Sequence, residues 1–240
     1  CSNLIIRDGG IDGVCIRLGK QFNKIVLKGD GVVAAGGASF GSHVAQKAAG
    51  AGVDLTFLRT IPGTIGGAVC MNAGCYGKYI KDVLVSAQFV SREGLLRSLD
   101  AKDLNFSYRK SKIPNGWVMT SAFFKSTVSD PEYLNAKMED MIENRNVTQP
   151  RGELSCGSAF RNPSGRASSG KADDQNDLKA WKMIEDAGLR GFQLGGAKVS
   201  SKHSNFLINT GDATSAQLEE LGEKIIKRVF DHSGIKLKWE

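Results

Sequence analysis

Arg59-Thr60-Ile61-Pro62-Gly63-Thr64-Ile65-Gly66-Gly67-Ala68-Val69-Cys70-Met71-Asn72-Ala73-Gly74-Cys75-Tyr76-Gly77 is the least ordinary stretch of this 240-residue chain. Small residues stand so densely there that a ligand could reach the backbone N–H groups directly, and such amides solvate a phosphate or diphosphate without a lysine. The spacing is not that of the P-loop, which closes on Gly-Lys-Ser/Thr, nor that of the GxGxxG dinucleotide fingerprint. Residue types alone leave two readings open, a phosphate cradle and a tight structural turn.

Upstream of this stretch, short β-type runs at 4–6, 14–18, 25–28 and 32–35 are punctuated by glycine, with Gly29-Asp30 as a hairpin turn. Ser39 is placed to cap a helix running to about Ala49 and ended by Gly50. Downstream, strands are expected at 83–90, 95–99 and 117–125, the first two joined by a turn at 92–94. Asp130-Pro131 then reads as N-cap and first helical residue of a helix to about Asn144. A domain boundary is placed there, giving 1–129 and 130–240. Residues 164–177 read as a polar surface loop. A helix over 178–187 stops at Gly188, a strand covers 206–209, and Thr214 with Gln217 forms a capping box for a helix to about Asp231. A last strand lies near 235–239. The layout is α+β in two parts, without the repeated βαβ units of a doubly wound sheet.

Glycine supplies 29 of the 240 residues, about 12% against a usual ~7%, yet follows no three-residue period, which excludes a collagen-like chain. Periodic apolar runs argue against disorder. No apolar run reaches the ~18 residues of a membrane span, so membrane insertion is not expected and a cytoplasmic protein is. The 32 basic and 25 acidic residues give a formal net charge of +7, which favours an anionic partner. Without an arginine-rich arm or a basic helix interleaved with aromatics, a phosphorylated small molecule is preferred to nucleic acid. The five cysteines are odd in number, lack a CxxC pair and sit in apolar or glycine-rich contexts, so they read as reduced buried thiols. His43, His203 and His232 are not at ligand spacing from cysteine, so no metal is expected.

Three further segments carry chemistry-bearing residues. In Ser155-Cys156-Gly157-Ser158-Ala159-Phe160-Arg161-Asn162-Pro163 a serine precedes a base and an amide, without the GxSxG of a hydrolase elbow. Phe106-Ser107-Tyr108-Arg109-Lys110-Ser111 clusters hydroxyls and bases after a turn. Residues 195–205 join Lys198, Lys202, His203 and Asn205, as an anion pocket or an ordinary polar turn. Each of these segments, taken alone, also reads as solvated surface.

Taken in order and register, the segments resemble the UDP-N-acetylenolpyruvoylglucosamine reductases, flavin enzymes of bacterial wall synthesis. The resemblance is carried by Ser2-Asn3-Leu4 with Arg7-Asp8-Gly9-Gly10, by 61–77, by Tyr108-Arg109 with Ser111, by Gly157-Ser158 with Asn162-Pro163, by 195–206, and by Glu240. It implies an FAD-binding domain of the vanillyl-alcohol-oxidase-like (PCMH-type) fold, N-terminally truncated, and a C-terminal α+β substrate-binding domain whose final strand returns to the active site. The family has a flavin-binding stretch before the position of Ser2 and a short strand after that of Glu240; the chain therefore reads as part of a longer one, of the shorter family type lacking an extra tyrosine loop.

The resemblance also implies FAD as cofactor, NADPH as co-substrate and a UDP-linked amino sugar as substrate, reduced from its enolpyruvyl form to UDP-N-acetylmuramate. Ser2, Asn3, Pro62, Gly63, Thr64, Ile65, Gly66, Gly67, Ala68, Asn72, Ala73 and Gly74 would contact the cofactor. Arg109 would stabilise the substrate carboxylate and the charge growing beside it, Ser158 would donate a proton, and Glu240 would assist. Tyr108, Arg161, Asn162, Lys202, His203 and Asn205 would hold the substrate. The rival readings are another oxidoreductase of the same flavin fold, acting on a sugar or alcohol, and a non-catalytic nucleotide-binding module.

Overall fold

The computed structural model describes residues 3–167, 169 and 178–240. By internal contacts the chain forms two compact units, one built on Ile16–Asn144 and the other made of the opening residues to Cys15, Arg145–Arg166 and the C-terminal stretch.

The first unit begins with the expected hairpin. Strands β1 (Ile25–Leu27) and β2 (Val32–Gly36) pair antiparallel across a turn in which the amide N–H of Val32 donates to the Gly29 carbonyl at 2.8 Å. Helix α1 (Gly41–Gly50) follows, then α2 (Ile65–Cys70), the short ribbon β3 (Gly74–Cys75) and β4 (Lys78–Tyr79), and strands β5 (Leu84–Val90), β6 (Leu96–Asp100) and β7 (Val118–Lys125). The five longer strands form one antiparallel sheet in the order β1-β2-β7-β5-β6. Period-two alternation sends Val33 and Ala35, Ala87 and Phe89, and Ala122 and Phe124 to one face. There they meet α1, whose Val44, Ala45, Ala48 and Ala49 share a stripe and are fully buried.

Helix α1 starts later than the expected cap. Phe40 stands at its N-cap without a side-chain bond, whereas Ser39 is buried with its hydroxyl unpartnered among the described residues. The Ser39 carbonyl instead accepts the Ile65 N–H at 2.8 Å, and this tie to the glycine-rich stretch fixes the backbone one residue short of the helix.

Helix α3 (Pro131–Thr148) is opened as expected by Asp130, whose carboxylate accepts the Tyr133 N–H at 2.8 Å. Its Leu134 and Met138 are buried in the core of the first unit, so the change of unit falls between Asn144 and Arg145 rather than at 130.

The second unit is a four-stranded antiparallel sheet, ordered β8 (Leu154–Ser158), β11 (Phe206–Asn209), β10 (Ala197–Val199) and β9 (Gln193–Leu194). Helices α4 (Ala180–Asp186) and α5 (Ser215–Ser233) contribute to its core, around Phe160, Ile184, Leu189, Leu207 and Ile225. The Thr214–Gln217 capping box is present. The expected strands at 4–6 and 14–18 do not form: Leu4, Val14 and Ile16 are exposed, and an apolar run without a partner edge has no ladder to join. The opening segment is anchored differently. Asp8 accepts the Ser215 and Ala216 N–H groups at the start of α5, and Arg7 pairs with Glu219. The expected strand near 235–239 reduces to one bridge, Phe160 with Trp239. The expected loop over 164–177 lies largely outside the described residues.

Candidate active site

The glycine-rich stretch is held on one side by the loop before α1. Gly41 donates to the Gly63 carbonyl, Ile65 to Ser39 and Gly66 to Gly37, at 3.2, 2.8 and 2.9 Å. Ile65, Gly66 and Gly67 open helix α2, where the first N–H groups have no partner within the helix. The N–H groups of Gly63, Thr64 and Gly67 make no hydrogen bond to a described residue. A side chain added at Gly67 would meet nothing closer than Thr64 Oγ1 at 4.0 Å, and Gly67 is exposed. Nothing among the described residues requires glycine there. A stretch of mostly small residues with three N–H groups unpartnered among the described residues fits an anionic diphosphate such as that of FAD.

The rest of the stretch has internal tasks. Ile65 and Gly66 use their amides for support, and Asn72 and Ala73 donate to Val69 and Ala68. Asn72, buried with φ 42°, accepts the Lys81 N–H at 3.0 Å and donates from Nδ2 to the Ser107 carbonyl at 3.0 Å. Gly74 lies under the Tyr79 ring. Gly37 and Ser39, which position the cradle amides, were not legible as site residues because nothing local announces a long-range backbone bond.

Asn72 thereby carries the next expected site residue. Ser107 and Lys110 exchange backbone bonds of 3.0 and 3.2 Å around a two-residue turn made of Tyr108 and Arg109. Ser111 Oγ donates to the Cys70 carbonyl at 2.8 Å, a second tie to the glycine-rich stretch. Arg109 adopts φ 54°, a region that costs a residue with a Cβ of order 1 kcal/mol, and its guanidinium lies over the Tyr108 ring at 5.3 Å.

In the second unit, Ser158 ends β8 opposite Phe206 and is exposed. The following residue, Ala159, accepts the backbone N–H of Glu240 on its carbonyl at 2.9 Å, so Glu240 is tied to the residue next to Ser158. Arg161 donates its N–H to Lys238 at 2.9 Å, and its buried Nε has no partner among the described residues. Asn162 spans a loop, donating from Nδ2 to Arg166 at 2.9 Å and accepting the Ala180 N–H at the start of α4 at 3.1 Å. Lys202 Nζ donates to the Asn146 carbonyl at 2.5 Å in the last turn of α3. His203 is largely enclosed by Trp181 and Phe206; desolvation, reinforced by the Arg190 cation, pushes its pKa down to about 4, so it is neutral near pH 7. Asn205 is buried, and both ends of its amide bond the backbone of Phe160. Asn3 is exposed on the opening segment, and Ser2 lies outside the described residues.

An amide-lined cradle in a chain whose residues 1–100 match the FAD binding domain family defines a flavoprotein. Residues 149–240 match a second family, the C-terminal domain of UDP-N-acetylenolpyruvoylglucosamine reductase. Curated enzymes of that name from Ruegeria pomeroyi and Roseobacter denitrificans are 59% and 58% identical to this chain over 239 residues, covering 100% of it and 77% of each relative. The crystal structure of UDP-N-acetylenolpyruvylglucosamine reductase (MurB) from Thermus caldophilus superposes with a TM-score of 0.82 at 31% identity, over 100% of this chain and 82% of that one. The chain belongs to the UDP-N-acetylenolpyruvoylglucosamine reductases.

Proposed function

We infer that Arg109, Ser158 and Glu240 do the chemistry of this FAD-dependent oxidoreductase, which reduces UDP-N-acetylenolpyruvoylglucosamine with NADPH in peptidoglycan synthesis. Both reactants are water-soluble nucleotides, and we place the reaction in the cytoplasm. The cofactor, when bound, carries hydride from NADPH to the enolpyruvyl double bond. The amides of Gly63, Thr64 and Gly67 hold its diphosphate, with Asn3 and Ser2 as further contacts, while Ile65, Gly66, Asn72 and Ala73 keep the cradle in shape.

Hydride addition to the vinyl carbon leaves negative charge on the carbon beside the substrate carboxylate. Arg109, a fixed cation with a planar fork, binds that carboxylate and stabilises the growing charge. Ser158 Oγ gives its proton to the carbon, and Glu240, directly or through water, returns a proton to the serine. Tyr108, Arg161 and Asn162 stand on the substrate side, with Arg161 Nε as a donor still to be used. The observation that supports this reading most is the bond from the Glu240 N–H to the carbonyl of Ala159, the residue that follows Ser158.

The two half-reactions test it separately. Ser158→Ala should bind FAD and be reduced by NADPH as the parent is, then be reoxidised by the enolpyruvyl nucleotide at least roughly a hundredfold more slowly, the usual contribution of a general acid. Ser158→Cys should keep more of that rate. Arg109→Lys should likewise slow only reoxidation, because an ammonium does not replace the fork. Equal losses in both half-reactions would remove these assignments.

A further inference from the structure

The polar groups of Ala159 and Phe160 can be accounted for completely. Ala159 donates its N–H to the Asn205 carbonyl at 2.8 Å and accepts from Glu240. Phe160 donates its N–H to Asn205 Oδ1 at 2.9 Å and accepts from Asn205 Nδ2 at 2.8 Å. Four main-chain groups thus have four partners, and three of those belong to one residue. The ladder between β8 and β11 shifts register at Phe206, where the strand ends at Ser158. Beyond that point the Asn205 amide, with one donor and one acceptor side by side, replaces the next peptide of a strand. The opposite edge of the same dipeptide is taken by 238–240, through Arg161 with Lys238, Phe160 with Trp239 and Ala159 with Glu240.

We propose that Asn205 is the positioning residue of the proton-delivering pair, fixing Ser158 and Glu240 relative to each other by completing the inner edge of Ala159-Phe160. The proposal rests on the roles given above to Ser158 and Glu240. It replaces the expected substrate contact at this position, since Asn205 is 4% exposed and its amide is already engaged at both ends. Phe160 is 1% exposed, so water cannot take over its N–H and carbonyl if the amide is lost. The dipeptide then shifts to find other partners and moves Ser158 and Glu240 with it. A displacement of about 1 Å at a reacting group costs on the order of a hundredfold in rate.

Asn205→Asp gives a discriminating test because its protonated carboxyl keeps the pattern, the carbonyl oxygen accepting from Phe160 N–H and the O–H donating to the Phe160 carbonyl. Ionised, it sets an anion against that carbonyl. The groups beside it are His203, whose Nδ1 accepts the Asn205 N–H at 3.3 Å, and the Glu240 and Arg161 of the facing segment. Burial raises a carboxyl pKa, so the protonated form is reached by mild acidification, between about pH 8 and about pH 6.

The FAD-loaded variant should be reduced by NADPH within about twofold of the parent at both pH values, while its reoxidation by the enolpyruvyl nucleotide is roughly 10- to 100-fold slower at the higher pH. The change should lie in the limiting rate rather than in the substrate concentration that gives half of it, and the ratio of variant to parent should rise about tenfold on acidification. Asn205→Leu should be slow without recovery. Parental reoxidation by both variants, a loss confined to substrate affinity, or equal losses in both half-reactions without acid recovery would each overturn the proposal. So would Asn205→Asp that does not fold even at the lower pH. Ser158→Ala run alongside separates the two levels: if it is slow while the Asn205 variants are parental, only Asn205 is misassigned. If it is parental, the reading of Ser158 fails and the role of Asn205 with it.

Discussion

Gly67 is exposed within α2 and has open space where a side chain would stand, so the protein alone would be better served by alanine. Glycine inside a helix costs roughly 0.5–1 kcal/mol relative to alanine. Gly67→Ala should therefore raise the melting temperature of the FAD-free protein and weaken FAD binding in titration. Gly66→Ala is the internal control, because its Cβ would stand 3.1 Å from the Gly37 carbonyl and disturb a support of the cradle. If Gly67→Ala stabilised the protein and bound FAD as the parent does, the cradle amides would not be the diphosphate site. His203 makes a second prediction at this scale. Its pKa falls from 6.5 unfolded to about 4 folded, so between these values the unfolded chain binds the extra proton. The stability of the folded state is then fully present above about pH 6.5 and is lost as pH falls toward 4, by roughly 3 kcal/mol from this group. Urea unfolding across that range should show the slope in the parent and a shallower one in His203→Gln.

Among elements, the C-terminal segment and α5 are fitted to each other. The Trp239 ring stacks on Phe160 at 4.8 Å, its indole N–H donates to Glu223 at 3.0 Å, and it crosses α5 where Gly222 offers no Cβ. Gly222→Ala should lower stability although alanine favours helix, because the added methyl would overlap the indole. It should also slow substrate-driven reoxidation more than reduction by NADPH, since Trp239 carries Glu240; a gain in stability with unchanged rates would contradict this. Elements with a local signature were legible in the sequence. The hairpin at Gly29-Asp30, the alternating strands β5 and β7, the Asp130 cap and the Thr214–Gln217 box each depend on residues within a few positions. The apolar runs at 4–6 and 14–18 read equally well as strands but find no extended partner, and 235–239 finds one only at its end, against Phe160; strand formation is a property of pairs. The site divides similarly. Glycine density announced the cradle, but which amides it offers depends on Gly37 and Ser39 more than twenty residues away. Asn205 was visible as a polar residue in a promising segment, and its bonds to Phe160, 45 positions distant, were not.

For the whole molecule, membership of the UDP-N-acetylenolpyruvoylglucosamine reductases implies a two-step reduction with separable half-reactions. A formal net charge of +7 suits a protein that takes two anionic nucleotides in turn. Among the described residues no helix is long and apolar enough to cross a membrane. The most direct test is the visible flavin spectrum of the FAD-loaded protein, recorded without oxygen before and after NADPH and again after addition of UDP-N-acetylenolpyruvoylglucosamine. Bleaching by NADPH followed by stoichiometric recovery on adding the enolpyruvyl nucleotide, with UDP-N-acetylmuramate formed, is the expected result. A flavin that bleaches but recovers only when oxygen or another acceptor is admitted, or a protein that takes up no FAD, would contradict it.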